Sequence, residues 1–252
     1  MNMIPLSVVM VVKNEEEVIE RCLKSVQAIT DDLLVFDTGS TDSTITIAKN
    51  MGAKVIPLHW QGYGKTKNEA NSYAKYDWIL SLDADEFIDE DLIQSLTNIK
   101  WESQKAVFRI RRKRYFMNKL MRFGAWGHEK RIRIFPRNSA KWTDDLVHET
   151  LQVNDVDIIT INGSIYDQTF KNLKQFSQKM ENYADMCARK YLSRGVKGAA
   201  WKRYLSPIYT FMWNYFIRLG LLDGKAGLIH AYMIAAYTFR KYSILFHLEQ
   251  KK

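Results

Sequence analysis

The chain is short of cysteine, of long apolar runs and, through its middle, of acidic residues, and each shortage narrows what it can be. Cysteine occurs twice in 252 residues, as Cys22 and Cys187. Neither has a Cys or His neighbour at ligand spacing, which argues against a disulfide framework and against a structural zinc site. No uncharged apolar run reaches the ~18 residues that suggest a membrane span; "AGLIHAYMIAAYTF" comes nearest and is too short. The start, "MNMIPLSVVMVVKNEE", lacks the basic leader and small-residue cleavage site of a signal peptide. A cytosolic chain is expected, in which Asn162-Gly163-Ser164 reads as a turn and not as a glycosylation acceptor. Between Lys100 and Ala140 two acids, Glu102 and Glu129, face 13 Lys or Arg residues.

Hydrophobic content of 46% and charged content of 26% describe an ordinary folded protein. The length suits one generous domain, or a domain with an appendage. A net charge of +9 implies an anionic partner: nucleic acid, a lipid surface or a phosphorylated substrate. Neither an internal repeat nor a low-complexity linker interrupts the chain.

The first hundred residues alternate in a β-α-β-α-β-α-β rhythm. "LSVVMVV", "LLVFD", "AKVIPL" and "WILSLDADEF" read as strands, the first buried on both faces. Between them "EEEVIERCLKSV" reads as a helix capped by Asn14, and "STDSTITIAKNMG" as one capped by Ser40 or Thr41 and closed by Gly52. "KTKNEANSYAKY" reads as a third. This is the pattern of a parallel sheet flanked by helices. Further on, "VFRIRRKRYF" and "RIRIF" read as strands with a loop at Gly124 and Gly127. "DIITINGSIYD" reads as a hairpin or edge strand around Asn162-Gly163. After Gln168 residues from Phe170 to Tyr191 fall at helical spacing, and Pro207 marks a break or start in "WKRYLSPIYTFMWNYFIRLG".

The fourth strand ends in crowded like charge: Asp83, Asp85 and Glu86. Ionised carboxylates side by side repel, and a cation relieves them. Magnesium is often shared between one or two carboxylates and a substrate's phosphates. In parallel sheets ligands gather at the carboxyl ends of strands, where Asp37 also lies. A metal-held diphosphate is therefore one reading of the cluster, and a helix start is the other.

The order of features resembles the family 2 glycosyltransferases, inverting enzymes of the GT-A fold. The residues that carry the likeness are "SVVMVVKNEEEVIERCLKSV", "LLVFDTGSTDST", "KTKNEANSYAKYDWILSLDADE" and a later "VHE", in order over about residues 5 to 150. "GAWGHEKRIRIFPR", "DDLVHETL" and "RLGLLDGKAGLIHAYMIAAYTFRKY" carry a narrower likeness to bacterial lipopolysaccharide core β-1,4-glucosyltransferases. The resemblance implies an α/β GT-A domain over residues 1–167, with a nucleotide-binding half (1–100) and an acceptor-binding half (101–167). A helical, aromatic-rich subdomain follows over 168–252. It implies transfer of a hexose, glucose, from a UDP-sugar to an inner-core heptose, with Mg2+ or Mn2+ as cofactor.

The same resemblance assigns roles. Asp37 contacts the uridine, with Thr38 standing where the family often has a second acid; the bland alternative for Asp37 is capping the turn at Gly39. Val11 and Lys13 lie against the uridine, and Lys67 and Asn68 meet the base or diphosphate unless Lys67 lies on a solvated helix face. Asp85 is the direct metal ligand and Asp83 contacts ribose or a metal-bound water. Glu149 takes the acceptor's proton, with Asp144 and Asp145 as alternatives. His148 binds metal or phosphate, or is structural. Arg131 and Arg133, placed on one strand face by alternation, clamp phosphate, or form a solvated basic strand. Trp126 stacks on a sugar, or is core under a loop.

The basic middle and aromatic tail fit attachment to an anionic membrane surface, with Trp201, Tyr204, Trp213 and Tyr215 at the interface; the plain alternative is a packed subdomain. That attachment suits a lipid-anchored glycan acceptor on the cytoplasmic leaflet, with no nucleic acid involved. Two other functions compete. A phosphohydrolase also uses Asp-x-Asp, but after its first strand and continuing into Thr or Val. A nucleic-acid-binding module would use the basic middle but leaves the acids without a purpose.

Overall fold

In the computed structural model, described over residues 3–101, 105–127, 129–144, 150–170 and 173–250, the chain divides into two units. The first takes residues 1–112 and 130–167, the second residues 113–129 and 168–252. The segment 113–129, assigned above to the first domain, therefore belongs with the helices.

The first unit opens with β1 (Leu6–Val12), α1 (Ile19–Val26), β2 (Asp32–Asp37), α2 (Thr44–Asn50), β3 (Lys54–Pro57), α3 (Tyr63–Ser72) and β4 (Trp78–Ser81). The four strands pair in parallel in the order β3-β2-β1-β4. After them come β5 (Glu86–Ile88), α4 (Glu90–Thr97) and β6 (Ala106–Phe116). β7 (Lys119–Met121) is followed by β8 (Lys130–Pro136), β9 (Ala140–Trp142), β10 (Leu151–Val153) and β11 (Asp157–Phe170). The sheet continues from β4 as β8-β6-β11-β5, with β8 antiparallel to both β4 and β6. A parallel half and an antiparallel half thus share one sheet, while β9 and β10 form a separate ribbon.

Alternation along β1 builds two cores. Val8, Met10 and Val12 point to one face, packed with Ile19, Cys22, Leu23 and Val26 of α1 and Leu92 and Leu96 of α4. Val9 points to the other, with Phe36, Ile79, Phe135, Trp142 and Ala70 of α3. Each such aliphatic side chain contributes about 1.5–3 kcal/mol by leaving water.

Several local expectations change. Asn14 does not cap α1, which begins at Ile19 after Val18. It takes a left-handed φ of 57°, and its Oδ1 accepts from the Thr41 N–H at 2.8 Å, tying the β1–α1 loop to the β2–α2 loop. Asp42, not Ser40 or Thr41, accepts from the Thr44 N–H at the start of α2. Residues 162–163 make no hairpin, for β11 runs through them. Gly163, at φ 96°, lets the backbone of Leu92 come so close that any Cβ would collide with it.

In the second unit Phe116, Met121 and Trp126 pack with Phe176 of α5 (Leu173–Ser193) and Ala226 of α7 (Gly224–Gln250). Phe170 ends β11 and lies outside the helix proposed for it. Pro207 lies inside α6 (Ala199–Met212) without ending it, although it removes one backbone donor. A π-helical turn, Trp213–Ile217, follows. Among the described residues no helix is long and apolar enough to cross a membrane.

Candidate active site

The parallel register puts the candidate groups on one edge. Asp37 ends β2 opposite Val12 of β1, and the Leu82 N–H after β4 donates to Val9 of β1 at 3.2 Å. Asp37 and Asp83 thus leave strands on either side of β1, about 10 Å apart laterally from two strand spacings. Lys13 is exposed just past the end of β1, and Val11 faces the core on the α3 side.

Asp37 is buried, and its carboxylate accepts from the Gly39 N–H at 3.0 Å and the Ser40 N–H at 3.1 Å. It caps its own turn, as the bland alternative had it. The turn fixes the carboxylate at the strand end.

The crowded acids after β4 are relieved by the protein's own cations. Residues 83–86 form a tight turn: the Glu86 N–H donates to the Asp83 carbonyl at 3.0 Å, and the Asp83 N–H donates to Glu86 Oε2 at 3.1 Å. Lys67 Nζ lies 3.0 Å from Asp83 Oδ1, and Arg133 Nη2 lies 2.9 Å from Asp83 Oδ2. Arg133 also reaches Glu86 Oε1 at 2.6 Å, and Arg112 reaches Glu86 at 3.0 Å and Asp167 at 2.8 Å. Three acids thus meet three cations. Lys67 is buried, not on a solvated face, and Glu86 begins β5 in place of a helix.

Burial alone would raise the Asp83 carboxyl, but Lys67, Arg133 and Arg112 outweigh it and hold the group well below the usual carboxylate range. Burial pushes Glu86 up, aided by Asp83 and Asp167 and opposed by Arg133 and Arg112. The Arg133 guanidinium stays charged, since Glu86 and Asp83 more than offset its own desolvation.

A β-bulge places Arg133. Phe108 pairs with Ile134 and Arg109 with Ile132, so Arg133 is the extra residue on β8. Alternation breaks there. Arg133 is buried against the acids, while Arg131 stays exposed. The two arginines do not act as a pair.

Asn68 does not reach the crevice. Its carboxamide accepts from the Trp142 N–H and donates to the Trp142 carbonyl, both at 2.9 Å. Gly64 lets the Thr143 backbone lie against α3. Asp144 follows, exposed. Asp145, His148 and Glu149 lie outside the described residues. Trp126 is buried, with ring centroids 6.0 Å from Phe116 and 5.8 Å from Phe176; it is core and not a sugar platform.

A divalent ion would have to share this turn with a ligand's phosphates. Both Asp83 oxygens are held by cationic side chains, so a direct ligand role does not suit it. Half-buried Asp85 sits in the same turn. Among the described residues no three His, Cys, Asp or Glu side chains converge as an all-protein site. One carboxylate shared with a ligand's phosphates is the arrangement that suits magnesium. Glu86, Arg112 and Asp167 were not singled out as a cluster from the sequence. The alternation of Ile110, Arg112 and Arg114 was the available signal for Arg112.

Comparison with known proteins agrees with this layout. The model of the family described as glycosyl transferase family 2 matches residues 7–159. A glycosyltransferase of Rickettsia typhi is 30% identical over 98% of this chain and 88% of its own. The lipopolysaccharide core biosynthesis glycosyltransferase LpsC of Rhizobium meliloti is 22% identical over 96% of this chain and 94% of its own. A crystal structure of S. aureus TarS with UDP aligns over 98% of this chain and 92% of that one, at 17% identity and a TM-score of 0.48. With the family match spanning most of the mixed sheet and its carboxylate turn, the chain is a glycosyltransferase of the GT-A fold and belongs to glycosyl transferase family 2.

Proposed function

We propose that the protein transfers glucose, with inversion, from UDP-glucose to a heptose of a lipopolysaccharide or lipooligosaccharide inner core. The observation that carries the donor half of this reading is the turn after β4. It offers Asp85 beside an Asp83 already neutralised by Lys67 and Arg133. The distant likeness to LpsC supports the acceptor half.

The uridine lies along the ends of β1 and β2, near Val11, Lys13 and Asp37. Asp83, locked by two cations, faces the ribose. Asp85 would hold Mg2+ or Mn2+, and a bound ion would supply positive charge to offset the leaving diphosphate. The acceptor hydroxyl attacks the anomeric carbon, the bond from that carbon to the diphosphate oxygen breaks, and UDP leaves with the electron pair. Glu149 takes the hydroxyl proton, with Asp144 and Asp145 as the alternative bases. In this reading Arg131 and His148 meet phosphate on donor or acceptor.

A lipid-anchored acceptor brings the protein to the cytoplasmic face of the inner membrane as a peripheral enzyme. A donor screen that follows UDP release with inner-core lipopolysaccharide as acceptor tests the reading. UDP-glucose should support release above the hydrolysis background; release only with another sugar, or only with another acceptor, would replace that half of it.

A further inference from the structure

Helix α6 is amphipathic in the opposite sense to a surface helix in water, where apolar residues face in and polar residues face out. Its outward face carries Trp201, Tyr204, Leu205, Ile208, Tyr209 and Met212, exposed by 49% to 64%. Lys202, Arg203, Ser206 and Thr210 on its other face are half-buried, and Asn214 in the π-helical turn after it is buried. Packing between α6 and α7 lies within the second unit.

The apolar stripe continues through the π-helical turn as Phe216 and Ile217, exposed by 45% and 63%. The residues 201, 205, 209, 213 and 217 follow steps of four, which overshoot a full α-helical turn by about 40° each. The wider π-helical turn at Trp213–Ile217 counters that drift at the end of the row. Tyr215, expected at an interface, is half-buried and stacks on Phe211 at 5.4 Å.

Charge decides what covers the face. From Arg194 to Lys225 there are six basic residues and one acid, Asp223. Arg194, Lys197, Arg218 and Lys225 are exposed and flank the stripe, while Lys202 and Arg203 lie half-buried behind it. Asp223 is buried, and its carboxylate accepts from the backbone N–H groups of Arg122 and Phe123. A second copy docking on this face would set base against base. An anionic lipid surface complements it. Trp201, Tyr204, Tyr209 and Trp213 have apolar bodies and polar tips, the side chains that settle at a headgroup boundary.

We infer that α6 and the π-helical turn after it form an in-plane membrane anchor, its aromatic and aliphatic face sunk among acyl chains and its flanking bases among anionic headgroups. The inference rests on the peripheral attachment proposed above and names the surface that makes it. Nothing in it requires a helix to span the bilayer.

The test uses the full chain and phosphatidylcholine vesicles with or without about one-third phosphatidylglycerol. The protein should sediment with the anionic vesicles at low salt, at least tenfold less with the neutral ones, and its tryptophan emission should shift to the blue on binding. Binding should weaken as salt screens the bases. Ile208→Glu with Ile217→Glu should lower anionic-vesicle binding at least tenfold and leave the thermal melt unchanged, since both side chains are exposed. Should that pair alter the melt, Tyr209→Ser, also at an exposed position, serves as the second variant, with the same loss expected.

No sedimentation with anionic vesicles, or equal binding by variants of unchanged melt, overturns the inference. So does a dimer in solution that these substitutions break, because the face then belongs to a second copy. UDP-glucose binding in vesicle-free buffer is read separately, so loss of the anchor and loss of the donor reading are distinct results.

Discussion

Arg133 and Glu86 meet at 2.6 Å with the glutamate wholly out of water, and the bulge in β8 is what lets them meet. Removing one member of a buried pair leaves the other charged without compensation, at a cost of about 3–5 kcal/mol. Arg133→Met should therefore lower unfolding stability by about that amount in urea denaturation. A loss below about 1 kcal/mol would mean that Arg112 alone satisfies Glu86.

Gly64 lies where a Cβ would collide with the Thr143 carbonyl. Backbone cannot give way as a flexible side chain does, so Gly64→Ala should displace the segment beginning at Thr143. The expected result is a destabilisation of about 1–3 kcal/mol, together with a lower kcat if the base follows that segment. Unchanged stability and turnover would show that α3 and β9 shift apart without consequence.

His230 packs among Phe116, Trp126 and Phe176. Among the described residues its Nε2 has no hydrogen-bond partner. Burial, and then the nearby Arg114, lower its pKa to about 4. Above the ordinary histidine value near 6.5 folded and unfolded states are both neutral. As pH falls below it the unfolded chain gains a proton that the folded protein refuses, so stability is lost down to about pH 4, in total about 3 kcal/mol. His230→Phe should flatten the stability profile between those values. An equally steep profile in the variant would assign the acid sensitivity elsewhere.

Glu149→Gln should reduce turnover more than donor affinity, about 100-fold or more in kcat. The same loss at Asp144→Asn or Asp145→Asn, with Glu149→Gln near wild type, would move the base to that residue.

The sheet's parallel half was legible because β1, β2 and β4 are continuous apolar runs, β2 ending at Asp37 and β4 running on to Asp83. The acid cluster was legible as a site but not in its chemistry. Glu86 and Arg133 are far apart in sequence, and a bulge invisible to alternation brings them together. Trp126 looked like a sugar platform because flanking glycines suggested a loop, whereas helices distant in the chain bury it. Asn68 sat on the right helix, but its carboxamide is turned to the Trp142 backbone. The outward face of α6 could not be read from a segment with aromatics on several faces, since packing on α7 selects which of them are covered.

The central claim is that Asp85 and a divalent ion together hold the diphosphate of a nucleotide-sugar. UDP-glucose titrated calorimetrically into the metal-stripped protein, with and without Mn2+, and then into Asp85→Asn, tests it most directly. Mn2+ should tighten wild-type binding at least tenfold, and Asp85→Asn should lose that gain while keeping its fold by circular dichroism. Equal donor affinity in all these titrations, or none in any of them, would contradict it.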